Sequence, residues 1–139
     1  MVNYKEWLRL AYSDIMNCKE IINNSFLTNI IAFHAQQAVE KSLKAILSYQ
    51  GEKIPKTHSL NNLFELCKEY VNIDDPDIVN VLDEIYIESR YPGSMGLLPD
   101  GKPSLSDAGD FYIFAKEFFE KVCELLGVSK DELNEWIKN

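Results

Sequence analysis

Residues 33–44 read Phe-His-Ala-Gln-Gln-Ala-Val-Glu-Lys-Ser-Leu-Lys, the most informative segment of the chain. It places two amides, a carboxylate, two ammonium groups and an imidazole within a segment whose other residues follow a helical pattern. An ionisable group in a buried helix costs free energy unless it is paired or hydrogen-bonded. This stretch therefore indicates a long helix that carries either a structural polar network or a functional site.

The helix predicted around this stretch runs from about Ser25 to Gln50, with Gly51 just past its end as a C-cap. Small and apolar residues share one stripe of its surface. The members of this stripe are Leu27, Ile31, Ala35, Ala38, Ser42, Ala45 and Tyr49. Because many of them are small, we expect a neighbouring helix to approach this stripe closely.

Helical periodicity also governs the rest of the chain. Further helices are predicted over residues 3–24, after Ser59, from Asp74 onwards, after Ser104 (ending at Gly127) and after Ser129. No strand pattern is visible, and most connections are short. The sequence therefore predicts one all-α domain over residues 1–139, an up-and-down four-helix bundle with an additional short helix. The exception is segment 91–103, a long connection of the kind that is often functional.

Composition narrows the class of protein. The formal net charge is −8, so the chain repels polyphosphate and extended DNA binding is not expected. The three cysteines form no C-x-x-C pair and the two histidines are well separated, so we expect neither a metal site nor a cofactor. No uncharged apolar run approaches the roughly 20 residues of a membrane span, and no signal peptide is recognisable. These features favour a cytoplasmic protein without membrane contact.

The polar residues of the long helix are the first candidates for a site. Gln37 and Lys41 lie four residues apart, and His34 lies one turn before Gln37. Glu40 and Lys44 are also four residues apart and are expected to pair on one helix face. The spacing alone favours an interior histidine beside a solvated ion pair, and a functional cluster is the alternative.

Two further candidates lie at helix ends. His58 directly precedes the third predicted helix, where it would contact a neighbouring element or act as a general base. Arg90 ends the fourth predicted helix, where its charge complements the helix dipole. Arginine can also hold a phosphate or carboxylate at two points, so Arg90 and the adjacent Tyr91 are candidates for phosphate binding.

Three motifs together resemble the HEPN domain, the higher eukaryote and prokaryote nucleotide-binding domain. They are residues 33–45, the Lys-Thr-His-Ser-Leu of residues 56–60, and the Ser-Arg-Tyr-Pro of residues 89–92. Their order and gaps fit the family, and the likeness covers nearly the whole chain. The resemblance implies an all-α bundle of about four core helices plus a short one, a frequent homodimer and a cytoplasmic prokaryotic setting.

The resemblance implies two kinds of function. Many HEPN domains are metal-independent RNA-cleaving toxins that carry an arginine followed, after four to six residues, by a histidine. Here both histidines precede Arg90, and the fifth residue after it is Met95. Attack by a ribose 2′-hydroxyl needs a base and an acid near neutral pH, so we predict no catalytic residue and favour a non-enzymatic protein.

Short stand-alone HEPN proteins are often encoded beside a minimal nucleotidyltransferase, in pairs that resemble toxin–antitoxin systems. In that setting the chain would be the helical partner and would bind a nucleotide or a short RNA. The nucleotide-binding candidates carried over from the resemblance are His34, Gln37, Lys41, His58, Arg90 and Tyr91. In this hypothesis Lys41 and Arg90 hold phosphate, whereas Gln37 and Tyr91 orient a base or sugar.

Two other hypotheses stay open. A divergent ribonuclease would use His34 or His58 together with Arg90, if the fold brings these groups together. A purely structural dimerisation module would instead use Phe26, Ile30 and Phe33, which lie on the more polar side of the long helix.

Overall fold

The computed structural model describes residues 3–89 and 101–138. These residues form six α-helices and one turn of 3₁₀ helix, and they contain no β-strand. The α-helices are α1 (Tyr4–Ile21), α2 (Thr28–Tyr49), α3 (Leu60–Leu66), α4 (Pro76–Ser89), α5 (Leu105–Leu126) and α6 (Lys130–Lys138), and the 3₁₀ turn is Ser25–Leu27. The predicted all-α class is confirmed.

Side-chain caps fix several helix ends. The side chains of Ser59 and Ser104 accept hydrogen bonds from the backbone amides three residues on, at the starts of α3 and α5. Gly127 adopts a left-handed conformation (φ 75°), which allows its amide to bond back to carbonyl groups in the last turn of α5. These ends agree with the sequence signals.

Two helices differ from their predicted extents. The Asn24 side chain accepts a hydrogen bond from the Phe26 amide, so the chain makes a 3₁₀ turn first and α2 begins at Thr28. The apolar pattern of the third helix predicts that it continues to Val71, but α3 ends at Leu66, because the Cys67 amide bonds to carbonyl groups three and four residues back and tightens the turn. Val71 is therefore buried outside any helix.

Helix α2 is the centre of the molecule, since it contacts α1, α3, α4 and α5. Ala35, Ala38, Ser42 and Ala45 of its predicted stripe are fully buried, which lets the neighbouring helices approach its backbone. The Ser42 hydroxyl donates to the Ala38 carbonyl at 2.7 Å and is thereby satisfied within the helix. Because other elements cover α2 on several sides, its buried polar side chains must bond to one another or to the elements packed against them.

Among the described helices, none has the length and apolar character that crossing a membrane requires. The three cysteines are buried and carry free thiols. Burial raises the pKa of all three, to about 12 for Cys18 and Cys123 and to about 11 for Cys67. They act as small apolar residues in the core.

Candidate functional site

Two buried carboxylates organise the polar residues of α2. Asp14 of α1 is 5% exposed and Glu40 of α2 is 3% exposed. Each one contacts one lysine and one histidine. A buried carboxylate without partners would cost several kcal/mol, so these contacts are what permit both charges in the interior.

The first group, the Asp14 cluster, consists of Asp14, His34 and Lys41. Asp14 Oδ1 lies 2.8 Å from His34 Nδ1, and Asp14 Oδ2 accepts a hydrogen bond from Lys41 Nζ, also at 2.8 Å. His34 and Lys41 are seven residues apart, two helical turns, and therefore share one face of α2. Each carboxylate oxygen has its own partner, which fixes both α2 side chains against α1.

The second group, the Glu40 cluster, consists of Glu40, Lys44, His58, Gln36 and Gln37. Lys44 Nζ donates to Glu40 Oε2 at 3.0 Å, and His58 Nδ1 lies 3.2 Å from Glu40 Oε1. The Lys44 side chain is itself only 7% exposed, so this is a buried ion pair.

The two amides of the Glu40 cluster hold the loop before α3. Gln36, which is fully buried, donates from Nε2 to the His58 carbonyl at 3.0 Å. Gln37 donates from Nε2 to Gln36 Oε1 at 2.7 Å. His58 is thus fixed twice, through its backbone by Gln36 and through its ring by Glu40.

Both imidazoles present the same nitrogen to a carboxylate. A carboxylate at Nδ1 favours the tautomer that carries the proton on Nδ1, which leaves the Nε2 lone pair to accept a proton or hydrogen bond. The side chains of His34 and His58 are 26% and 45% exposed, so a ligand can reach both rings. This arrangement fixes Nδ1 of each ring on its carboxylate and leaves Nε2 as the nitrogen that a ligand can meet.

A cleft of about 310 Å³ lies beside His58, between the loop before α3 and helix α4. We call it the His58 cleft; its lining residues are Lys56, Thr57, His58, Ser59, Asp83, Tyr86 and Ile87. The rings of His58 and Tyr86 are stacked, with centroids 4.5 Å apart and planes 24° apart. The Phe33 ring stacks on Tyr86 at 6.4 Å, which extends this aromatic surface back to α2.

Asp83 closes one wall of the His58 cleft in a structural role. Its carboxylate accepts hydrogen bonds from the Leu60 amide at 2.6 Å and from the Asn61 amide at 3.2 Å. It also accepts from the Asn61 side chain at 2.8 Å. A carboxylate at a helix N-terminus stabilises the helix, so Asp83 locks α3 to α4.

A family model described as HEPN domain matches residues 4–126. The chain belongs to the HEPN domain family. The match runs from the first residue of α1 to the last residue of α5 and contains both clusters and the His58 cleft. No curated protein and no solved structure matches the chain significantly.

The structure of this HEPN domain sorts the candidate residues into two pairs. His34 and Lys41 meet at Asp14, whereas Gln37 and His58 belong to the Glu40 cluster. Arg90 and Tyr91 lie outside the described residues.

The interpretation of Glu40 and Lys44 as a solvated ion pair is wrong. Both residues are buried, because the Trp7 ring of α1 and the loop carrying His58 lie against them. The ammonium of Lys44 sits 5.6 Å from the centre of the Trp7 ring, a cation–π contact that replaces part of its hydration.

Sequence reasoning missed two residues of the site. Asp14 carried a signal, since it is an ionisable residue on the apolar stripe of α1, between Ala11 and Cys18. Tyr86 carried none, because its contact with His58 depends on how α4 packs against the loop before α3. Within residues 3–89 and 101–138, no group of three His, Cys, Asp or Glu side chains is arranged to hold a metal ion.

Proposed function

We propose that this HEPN domain binds a nucleotide, or one nucleotide of a short RNA, in the His58 cleft without cleaving it. The observation that carries the proposal is the stacked pair of His58 and Tyr86 at the wall of a cleft of about 310 Å³. Ligand sites begin at about this volume, and aromatic faces bind bases of any sequence by stacking.

The polar residues of the His58 cleft complete the match to a nucleotide. Lys56 supplies a positive charge for a phosphate group, and the Thr57 and Ser59 hydroxyls can hydrogen-bond a sugar or a base edge. A neutral His58 whose Nδ1 proton faces Glu40 offers Nε2 as an acceptor. Arg90 and Tyr91 remain part of the proposed site as phosphate and base contacts.

Isothermal titration with nucleoside monophosphates and a short single-stranded RNA tests the proposal. Tyr86→Leu removes the stacking surface and should weaken binding roughly tenfold, since stacking of one base contributes about 1–3 kcal/mol. Tyr70→Leu is the matched control, because Tyr70 is exposed and does not line the His58 cleft. Equal affinity of the two variants, or no heat with any probe, would overturn the proposal.

We also propose that the domain acts as a homodimer and as the partner of a minimal nucleotidyltransferase in a toxin–antitoxin-like pair. The family resemblance supports this, and in the proposal the four longest helices (α1, α2, α4 and α5) form one up-and-down bundle within each copy. Phe26 is 78% exposed and Ile30 is 37% exposed, so these two residues offer an apolar surface for the second copy. A nucleotidyltransferase gene beside this one would support the pairing, whereas failure of the two co-expressed proteins to co-purify would contradict it.

One observation favours a second candidate, ribonuclease activity. The contact between Asp14 and His34 places a carboxylate behind an imidazole, as in sites where histidine acts as a general base. In this hypothesis His34 or His58 takes the proton of a ribose 2′-hydroxyl, and Arg90 holds the phosphate. RNA cleavage that is lost in Arg90→Ala would support it. Cleavage that persists in the His34→Ala, His58→Ala double variant would exclude it.

A further inference from the structure

A second groove lies on another part of the molecule, where α6 covers α1 and α5. Its volume is about 480 Å³. We call it the α6 groove. Its lining residues include Tyr12 and Lys19 of α1, Tyr112 and Lys116 of α5, and Lys130 and Leu133 of α6. It shares no lining residue with the His58 cleft.

The charge of the α6 groove is opposite to that of the protein. Three lysines and one glutamate line it, in a chain whose formal net charge is −8. Lys116 lies 3.8 Å from Glu120, whereas Lys19 and Lys130 have no ion-pair partner among the described residues. Positive charges gathered from three helices raise the local concentration of anions.

The walls of the groove are aromatic and apolar between the lysines. Tyr12 stacks on Phe119 with ring centroids 5.4 Å apart and planes 4° apart, which holds the half-buried tyrosine ring in place. Tyr112 and Leu133 are also half-buried. The polar groups here, apart from Glu120, are ammonium, phenol and amide groups that can donate hydrogen bonds, so the ligand should carry several acceptor oxygens.

We propose that the α6 groove binds a small aromatic phosphomonoester. The phosphate dianion would sit among Lys19, Lys116 and Lys130, and the aromatic ring would pack against Tyr12 and Tyr112. Three residues of the groove belong to α6, which follows the part of the chain that matches the family model. The proposed site does not depend on ligand binding in the His58 cleft, because the two share no lining residue.

Amide chemical shifts of the full chain test the proposal and separate the two sites. Adenosine monophosphate and phenyl phosphate should both shift the amides of Met16, Tyr112 and Leu133. Adenosine lacks the phosphate and inorganic phosphate lacks the ring, so each should bind the groove at least roughly tenfold more weakly. Shifts with adenosine monophosphate but not with phenyl phosphate would restrict the ligand to nucleotides. Shifts with phenyl phosphate but not with adenosine monophosphate would exclude nucleotides as the ligand.

Lysine variants provide the second arm of the experiment. Lys19→Ala with Lys130→Ala should weaken the binding of adenosine monophosphate that the groove amides report at least roughly tenfold, because two unpaired charges are lost. Lys53→Ala with Lys68→Ala removes two exposed lysines outside the groove and should leave the affinity unchanged.

Three outcomes would overturn the proposal. The first is that the groove amides do not shift at millimolar adenosine monophosphate or phenyl phosphate. The second is that the two double variants bind adenosine monophosphate with equal affinity. The third is that the same amides shift with protein concentration when no ligand is added, which would show a second copy in the groove. Shifts confined to residues 56–59 and 83–87 would contradict the α6 site while supporting the His58 cleft.

Discussion

Glu40 and His58 connect the central helix to the wall of the cleft, with Oε1 of Glu40 3.2 Å from Nδ1 of His58. Glu40 is 3% exposed, whereas the His58 side chain is 45% exposed. A buried charge thus determines the orientation of a ring that a ligand can reach. The stability of the core and the geometry of the cleft should therefore respond to the same substitutions.

Removing the lysine partner of Glu40 should destabilise the fold strongly. We expect Lys44→Ala to lower the free energy of unfolding by about 3–5 kcal/mol, because it leaves a buried carboxylate without its cation. Lys68→Ala is the control, since Lys68 and Glu65 form an exposed pair whose loss should cost less than about 1 kcal/mol. Urea unfolding measures the free energy of unfolding of both variants. Similar values for the two variants would contradict a buried ion pair.

The two carboxylates should set the tautomers of the two histidines. We expect neutral His34 and His58 to carry the proton on Nδ1, and we expect Asp14→Leu to release His34 while leaving His58 unchanged. Long-range ¹H–¹⁵N correlation spectra of the imidazoles distinguish the tautomers. A wild-type protein with both protons on Nε2 would contradict the proposed orientation.

Buried thiols should make stability fall at alkaline pH. Burial of the Cys18 thiol and, to a smaller extent, the charge of Asp14 raise the pKa of Cys18 to about 12. The thiols of an unfolded chain have a pKa of about 8.5. Between these values the unfolded state loses a proton that the folded state keeps, so the free energy of unfolding decreases as pH rises.

Cys18→Ala isolates this contribution. Each buried thiol should contribute a slope of about −1.4 kcal/mol per pH unit above about pH 9, and the variant should lose one such contribution. Urea unfolding at several pH values gives the slopes for wild type and variant. Identical slopes for wild type and variant would show that the Cys18 thiol has the same pKa in the folded and the unfolded state.

The exposed aromatic side chain in the 3₁₀ turn before α2 should belong to the dimer contact. Phe26 is 78% exposed, and Lys102 Nζ lies 5.3 Å from the centre of its ring. We expect Phe26→Glu to shift the protein toward monomer in sedimentation velocity, because it places a charge in an apolar contact. Leu125→Glu, at an exposed position on α5, is the matched control. A dimer that survives Phe26→Glu would remove this surface from the interface.

Much of the fold could be predicted because helical periodicity is local. The stripe of α2, the caps at Ser59 and Ser104 and the stop at Gly127 are all visible within a few residues of sequence. The 3₁₀ turn before α2 was not predicted, since it depends on one side-chain hydrogen bond from Asn24.

The candidate site was only half predictable, because its contacts cross between elements. The spacing of Glu40 and Lys44 predicted their pairing, but their burial depends on Trp7 and on the loop before α3. The carboxylate that binds His34 lies on another helix, 20 residues earlier, and the ring that stacks on His58 lies on α4. Periodicity within one segment contains no information about such neighbours.

Photo-crosslinking with 2-azidoadenosine monophosphate, followed by peptide mass spectrometry, shows where on the protein a nucleotide sits. We expect the modified peptides to include residues 56–59 or 83–87, and excess adenosine monophosphate to remove this labelling. Tyr86→Leu should lose the label on these peptides, whereas Tyr70→Leu should retain it. Labelling confined to other parts of the chain, or labelling that excess nucleotide does not reduce, would contradict nucleotide binding in the His58 cleft.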